Sequence, residues 1–127
     1  NLRHVLRHER RDSAARLTEQ AKAYIEEHYK ESDLSADSLC RCLNVSAAYF
    51  STIFKREVGM SFVAYLTKIR LEHALELLRT TEDKTYIIAS RVGYMEPNYF
   101  SYVFKKQYGI SPSKYRAEMS VKEKNED

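Results

Sequence analysis

Apolar residues recur along the chain at helical spacing. Leu17, Ala21, Tyr24, Ile25 and His28 fall at i, i+4, i+7, i+8 and i+11, which predicts an amphipathic helix from about Ser13 to Lys30. Phe50, Ile53 and Phe54 mark one side of a later stretch, and Phe100, Val103 and Phe104 mark one side of another. Between them, Phe62, Tyr65, Leu66 and Ile69 face one way, and Leu71, Ala74, Leu75 and Leu78 continue round the axis. Residues 61–80 therefore read as a long helix, of which about 18 residues make a rod of roughly 27 Å at ~1.5 Å per residue.

The two Phe-centred stretches are copies of one another at an offset of fifty. Residues 49–65 and 99–115 are identical at eight of seventeen positions, among them Tyr49/Tyr99, Phe50/Phe100, Ser51/Ser101, Phe54/Phe104, Lys55/Lys105 and Gly59/Gly109. A repeated supersecondary unit follows. In the first copy Ser35 caps a helix through about Leu43, Asn44 and Val45 form a turn, and Ser46 caps a second helix that Gly59 stops after Val58. In the second, Thr85 starts a helix ending near Val92, and Gly93 supplies the turn. Pro97 sits at the first position of a helix through Tyr108, which Gly109 ends. Two helices joined by a short turn form the helix-turn-helix pattern of DNA-binding proteins. Ser61 caps the connecting helix, and Ser111 with Pro112 starts a short one through about Glu118.

The expected fold is therefore all-α, about seven helices, with two helix-turn-helix subdomains on a long linker helix. The segments are a linker at 1–16, a first subdomain at 17–60, the linker helix at 61–80, a second subdomain at 81–118 and a disordered tail at 119–127. Composition agrees with an all-helical chain: three Gly and two Pro in 127 residues leave too little turn punctuation for a many-stranded sandwich or barrel. Hydrophobic residues at 43% and aromatics at 12% supply a core. No apolar run approaches the roughly 18 residues of a membrane span, so no membrane partner is expected.

Charge is unevenly placed. Residues 1–16 carry five Arg against Glu9 and Asp12, residues 17–37 carry two Lys against six acids, and residues 38–117 carry twelve Lys or Arg against six acids. A basic body between acidic flanks suits a polyanion. Helical angles leave Ala48, Ser51, Thr52 and Lys55 opposite the core side of one second helix, and Asn98, Ser101, Tyr102 and Lys105 opposite that of the other. Such short polar side chains let a helix approach base edges in a major groove. Lys55, Arg56, Lys105 and Lys106 at the ends of these faces, and the helix starts at Ser46, Ser61 and Ser111, are candidates for phosphate.

Chemistry of other kinds is poorly provided for. The histidines His4, His8, His28 and His73 form no nucleophile and base arrangement, and no Gly-rich phosphate loop is present, so no enzyme, cofactor or metal site is expected. His4 and His8, at i and i+4, read as an exposed linker pair. Cys40 and Cys42 lie about 200° apart on a helix and read as small helix fillers in a reducing compartment.

The residues Tyr49-Phe50-Ser51 with Phe54-Lys55 and Gly59, Ile69-Arg70-Leu71 with Ala74 and Leu77-Leu78, and Val92-Gly93-Tyr94 with Tyr99-Phe100-Ser101, Phe104-Lys105-Lys106, Gly109, Ser111-Pro112 and Tyr115-Arg116 resemble the DNA-binding domain of AraC/XylS-type transcription regulators. The resemblance covers about Leu17 to Arg116. Tyr65-Leu66 to Arg70, with Leu77-Leu78-Arg79-Thr80-Thr81, looks most like the output domains of two-component response regulators. It implies a cytoplasmic bacterial regulator that binds double-stranded DNA, with helices 46–58 and 96–108 in successive major-groove segments. It also implies an N-terminal receiver or sensor domain missing from this chain, with residues 1–16 as its connector. Carried over by position, the base readers are Ala47, Ala48, Ser51, Thr52, Pro97, Asn98, Ser101 and Tyr102.

Three positions depart from the family pattern. Tyr102 and Thr52 stand where that family usually has Arg in the second unit and at the equivalent place in the first, which removes a bidentate guanine contact at each. Thr85 replaces a usual apolar residue. The small residues Ala47, Ala48 and Thr52 offer packing for thymine methyls instead. A 27 Å rod against the ~34 Å spacing of successive major-groove faces implies bent DNA or a loosely engaged second unit. Expected partners are a second copy on repeated half-sites, the fragment itself being monomeric, and RNA polymerase. The competing reading is a helical protein-protein interaction module without specific DNA binding.

Overall fold

A computed structural model describes residues 2–126, with side chains to Ser120 and at Lys122 and Glu123. It contains α1 (Leu2–His28), α2 (Ala36–Leu43), α3 (Ala47–Val58), α4 (Phe62–Thr80), α5 (Thr85–Arg91), α6 (Pro97–Tyr108) and α7 (Pro112–Glu126), with no strand among the described residues. The all-α reading stands, and the repeat is visible in the elements: α3 and α6 start and stop fifty residues apart, as do the starts of α4 and α7.

Two helices are longer than periodicity indicated. α1 begins at Leu2 rather than near Ser13, and α7 continues through the residues 119–126 that were expected to be disordered. Neither extension carries an apolar stripe strong enough to register as a helix face. Both lack Gly and Pro, and the first is rich in Arg and Leu while the second is rich in Lys and Glu, so propensity carries the helix where patterning is silent. The expectations for Asn1 and Asp127 lie outside the described residues.

The chain forms two compact units, residues 1–28 with 33–67 and residues 29–32 with 68–127. In the first, α1 lays Ala14, Leu17, Thr18, Ala21 and Ile25 against α2 and α3. Thr18 turns its hydroxyl back to the Ala14 carbonyl at 2.8 Å, so its burial leaves no unsatisfied donor. Phe50 and Phe54 are fully buried and meet Phe62 and Tyr65 edge-on, with centroids 6.2 Å and 5.5 Å apart. Burying each such ring stabilises the unit by roughly 1.5–3 kcal/mol. Ser35 and Ser38 form a reciprocal capping box at the start of α2, each accepting the other's backbone N–H at 3.0 Å.

In the second unit Leu71, Ala74, Leu78, Ile88, Ala89, Val92, Phe100 and Phe104 make the core. Two arginines close it, Arg70 buried and Arg116 half-buried. Arg70 donates from Nε to the Tyr29 carbonyl at 2.9 Å and from Nη2 to the Glu31 carbonyl at 2.8 Å, with its guanidinium 5.3 Å from the centre of the Tyr94 ring. Arg116 donates to the carbonyls of Leu78 and Thr81 at 3.0 Å and 3.1 Å, satisfying acceptors that the end of α4 leaves without helical partners.

Candidate nucleic-acid interface

α3 owes its position to the turn before it. Asn44 takes a left-handed conformation at φ 57°, and its N–H closes on the Cys40 carbonyl. Two residues later Ser46 is extended and accepts the Tyr49 N–H at 3.2 Å, starting α3. Gly93 makes the equivalent turn at φ 105°. A side chain there would strike the Tyr29 carbonyl and come within 2.8 Å of Arg70 Nε, so the second turn needs glycine for space as well as conformation. Pro97 opens α6 with no side-chain cap from Glu96, and Gly109 ends it as Gly59 ends α3, both left-handed.

These boundaries present the base-reading candidates outward. Ala48, Ser51 and Thr52 are exposed on α3, on the side away from buried Phe50, Ile53 and Phe54, while Ala47 is exposed in the first turn, on the same stripe as Phe50 and Phe54. On α6, Asn98 and Tyr102 are exposed and Ser101 is half-buried, opposite Phe100 and Phe104, while Pro97 is exposed in the first turn on the Phe stripe and Val103 is only half-buried. Within each unit three candidates share one free helix face, Ala48, Ser51 and Thr52 on α3 and Asn98, Ser101 and Tyr102 on α6, and Ala47 and Pro97 stand at the helix starts beside it.

Finer geometry modifies what these residues offer. Thr52 spends its proton on the Ala48 carbonyl at 3.1 Å, so its hydroxyl can serve a base edge only as an acceptor. Tyr102 is 61% exposed yet ordered by Tyr99, whose ring stacks on it at 6.5 Å and also meets buried Tyr94 at 5.9 Å. This aromatic ladder was not anticipated from sequence; the i, i+3 spacing of Tyr99 and Tyr102 was the available signal.

The phosphate candidates divide. Lys55, Lys105 and Lys106 are exposed. Arg56 is exposed too, but it pairs with Glu57 at 3.1 Å, which offsets part of its charge. Ser46, Ser61 and Ser111 each cap a helix, taking the N–H of Tyr49, Ala64 and Lys114 at 3.2 Å. Each cap uses one of the four N–H groups a helix start leaves without helical partners.

Among the arginines of the expected connector, Arg7, Arg10 and Arg11 on α1 line a cleft of about 510 Å³ with Tyr49, Ile53 and Arg56 of α3, which the sequence did not indicate. The helix-filler reading holds for Cys40, which is buried, and not for Cys42, which is exposed; both are free thiols. Burial first, and then the Asp37 carboxylate, push the Cys40 thiol up from its ordinary range. His4 and His8 lie on α1, where His8 Nε2 meets Asp12 at 3.4 Å, and no cluster of three metal-ligating side chains occurs among the described residues. No helix among them is long and apolar enough to cross a membrane.

Residues 39–118 match a family described as a helix-turn-helix domain. The chain is 37% identical over 107 residues to the uncharacterized HTH-type transcriptional regulator YisR of Bacillus subtilis, covering 84% of this chain and 37% of that protein. It thus spans between about a fifth and little more than a third of the length of the curated relatives it matches. Its fold is similar to the C-terminal domain of AraT, a response regulator from Geobacillus stearothermophilus, with a TM-score of 0.79 and 47% identity over 80% of this chain and 84% of that one. It is also similar to the DNA-binding domain of the global transcriptional factor AdpA, solved with a target DNA, with a TM-score of 0.78 and 26% identity over 83% of this chain and 94% of that one. The match spans both turns, both outward helices and the helix between them, and the chain belongs to the AraC-type helix-turn-helix family of transcription regulators.

Proposed function

We propose that this chain is the DNA-binding part of a bacterial transcription regulator and reads double-stranded DNA with α3 and α6 in successive major-groove segments. The observation that carries the reading is the pair of matched free faces, Ala48, Ser51, Thr52 and Lys55 on α3 and Asn98, Ser101, Tyr102 and Lys105 on α6. Each is set by its own turn and backed by its own Phe pair. The likeness to AdpA, whose domain was solved on a target DNA, supports the same assignment.

In this reading Ala47, Ala48, Ser51 and Thr52 read one block of bases and Pro97, Asn98, Ser101 and Tyr102 read another. Asn98 carries an amide suited to adenine, and Thr52 turns a methyl toward the thymine methyl. Lys55, Lys105 and Lys106 fix register on phosphates, joined by Arg56 once it exchanges Glu57 for a phosphate, and by the helix starts at Ser46, Ser61 and Ser111. The chain acts in the cytoplasm by binding, without catalysis. Its larger protein carries a receiver or sensor domain, as the likeness to a response regulator's C-terminal domain supports. A second copy on a repeated half-site and contact with RNA polymerase complete the reading.

The test is base preference after substitution. Ser51→Ala with Thr52→Ala relaxes preference in one block of the selected site, and Asn98→Ala with Tyr102→Ala relaxes it in the other. Each loss amounts to about 1–3 kcal/mol of discrimination per disrupted base contact. Uniform weakening at every position would contradict the assignment of these residues to base reading.

A further inference from the structure

We propose that the N-terminal half of α1 is a second, sequence-blind DNA contact: Arg7, Arg10 and Arg11, beside Tyr49 and Arg56, clamp the phosphate backbone along the wall of the groove that α3 enters. The inference rests on the DNA-binding reading of α3 and deepens it.

The first ground is the placement of charge on α1. Its buried stripe runs through Ala14, Leu17, Thr18, Ala21 and Ile25. Continued toward the N-terminus at the same helical spacing, that stripe carries Arg11 and Arg10 three and four residues before Ala14, Arg7 seven before and Arg3 eleven before. The side of the helix that is apolar where it covers the core is therefore cationic where it runs past the core. Glu9 and Asp12, the acids of this segment, fall about 150° away round the axis. Arginines at i, i+3 and i+4 repel one another on an isolated helix, and a bound polyanion relieves that repulsion.

The second ground is what lies opposite. The cleft's other wall is α3 itself, through Tyr49, Ile53 and Arg56. Tyr49 and Arg56 sit about a third of a turn round α3 from Ala48, Ser51, Thr52 and Lys55. A helix roughly 10–12 Å across nearly fills a major groove about 12 Å wide, so when one face meets base edges its flanks meet the phosphate walls. A cleft on that flank faces phosphates. Sharing α3 with the reading face favours DNA over an acidic peptide as the occupant.

The experiment measures binding of the whole chain to two fluorescein-labelled 30-base-pair duplexes, one selected from a random pool and one scrambled, between 50 and 200 mM salt. Neutralising three phosphate contacts by Arg7→Gln, Arg10→Gln and Arg11→Gln lowers the slope of log affinity against log salt by about 2.7 on both duplexes. The ratio between the duplexes is unchanged, because the contact carries no sequence. The corresponding triple Arg→Lys variant keeps the slope. The single substitution Arg7→Gln, on a fully exposed turn, lowers it by about 0.9 and guards against misfolding of the triple variant. If the Gln variants keep wild-type slope and affinity while the chain still prefers the selected duplex, the clamp is overturned and the base-reading account survives. Absence of salt-dependent binding by the wild-type chain overturns both.

Discussion

The Arg70 Nε donates a 2.9 Å hydrogen bond to the main-chain carbonyl of Tyr29, and the same guanidinium reaches the Glu31 carbonyl. One side chain of α4 thus holds the segment that follows α1. Burial lowers the Arg70 pKa from its ordinary value, with Tyr94 acting in the opposite sense. Arg70→Met leaves two carbonyls without their donors and is expected to cost about 2–4 kcal/mol in urea unfolding. Arg70→Lys recovers only part of this, because an ammonium lacks the fork that meets both acceptors. A loss below about 1 kcal/mol for Arg70→Met would contradict the clamp.

Gly93 and the helix-ending glycines separate conformation from space. All three have positive φ, yet a Cβ at Gly59 or Gly109 meets nothing within 4 Å, whereas one at Gly93 strikes the Tyr29 carbonyl and Arg70. Gly59→Ala and Gly109→Ala should each cost about 1–2 kcal/mol from the left-handed backbone alone. Gly93→Ala should cost clearly more by the same thermal unfolding measurement. Equal costs at all three would show that crowding against Arg70 is unimportant.

The two thiols should react at different rates. Cys42 is exposed, while Cys40 is buried with its thiol pKa raised. Mass spectrometry after brief iodoacetamide treatment at pH 8 should find one alkyl group on Cys42, with Cys40 modified only after unfolding. Equal modification of both in the native chain would contradict the packing of α2.

Tyr108 gives a pH signature. Burial first, then Glu72 and Tyr115, raise its pKa above the usual tyrosine value. A folded-state pKa above the unfolded one means full stability below about pH 10 and loss as pH rises through the folded value. The melting temperature should therefore fall above about pH 10, and Tyr108→Phe should flatten part of that fall. An unchanged alkaline slope in Tyr108→Phe would remove Tyr108 from the explanation.

Much of this was legible in the sequence because the repeat states it twice. Phe50/Phe100 and Phe54/Phe104 mark the core sides, Ser46 and Gly59 mark the ends of α3, and Pro97 and Gly109 mark those of α6. The candidate reading faces followed as their complements. Arg70 and Arg116 escaped because their partners are carbonyls 35 to 41 residues away, and a main-chain acceptor leaves no trace in residue identity. The length of α1 escaped because the apolar residues of its first half, Leu2, Val5 and Leu6, are few and do not continue the stripe that Ala14 begins, and with it went the cleft that α1 forms with α3. The Arg56–Glu57 pair joins sequence neighbours, which helical angles alone do not bring together.

The most direct test of the central claim is selection of bound sequences by this chain from a pool of random duplex DNA. Two reading helices on one chain predict an enriched site with two blocks centred about one helical turn, roughly 10 base pairs, apart. Loss of affinity with rising salt should accompany binding to that site and to scrambled DNA alike, with the selected site retaining its advantage. Recovery of no enriched sequence, together with no binding to any duplex at low salt, would contradict the account and leave the exposed faces of α3 and α6 to a protein partner.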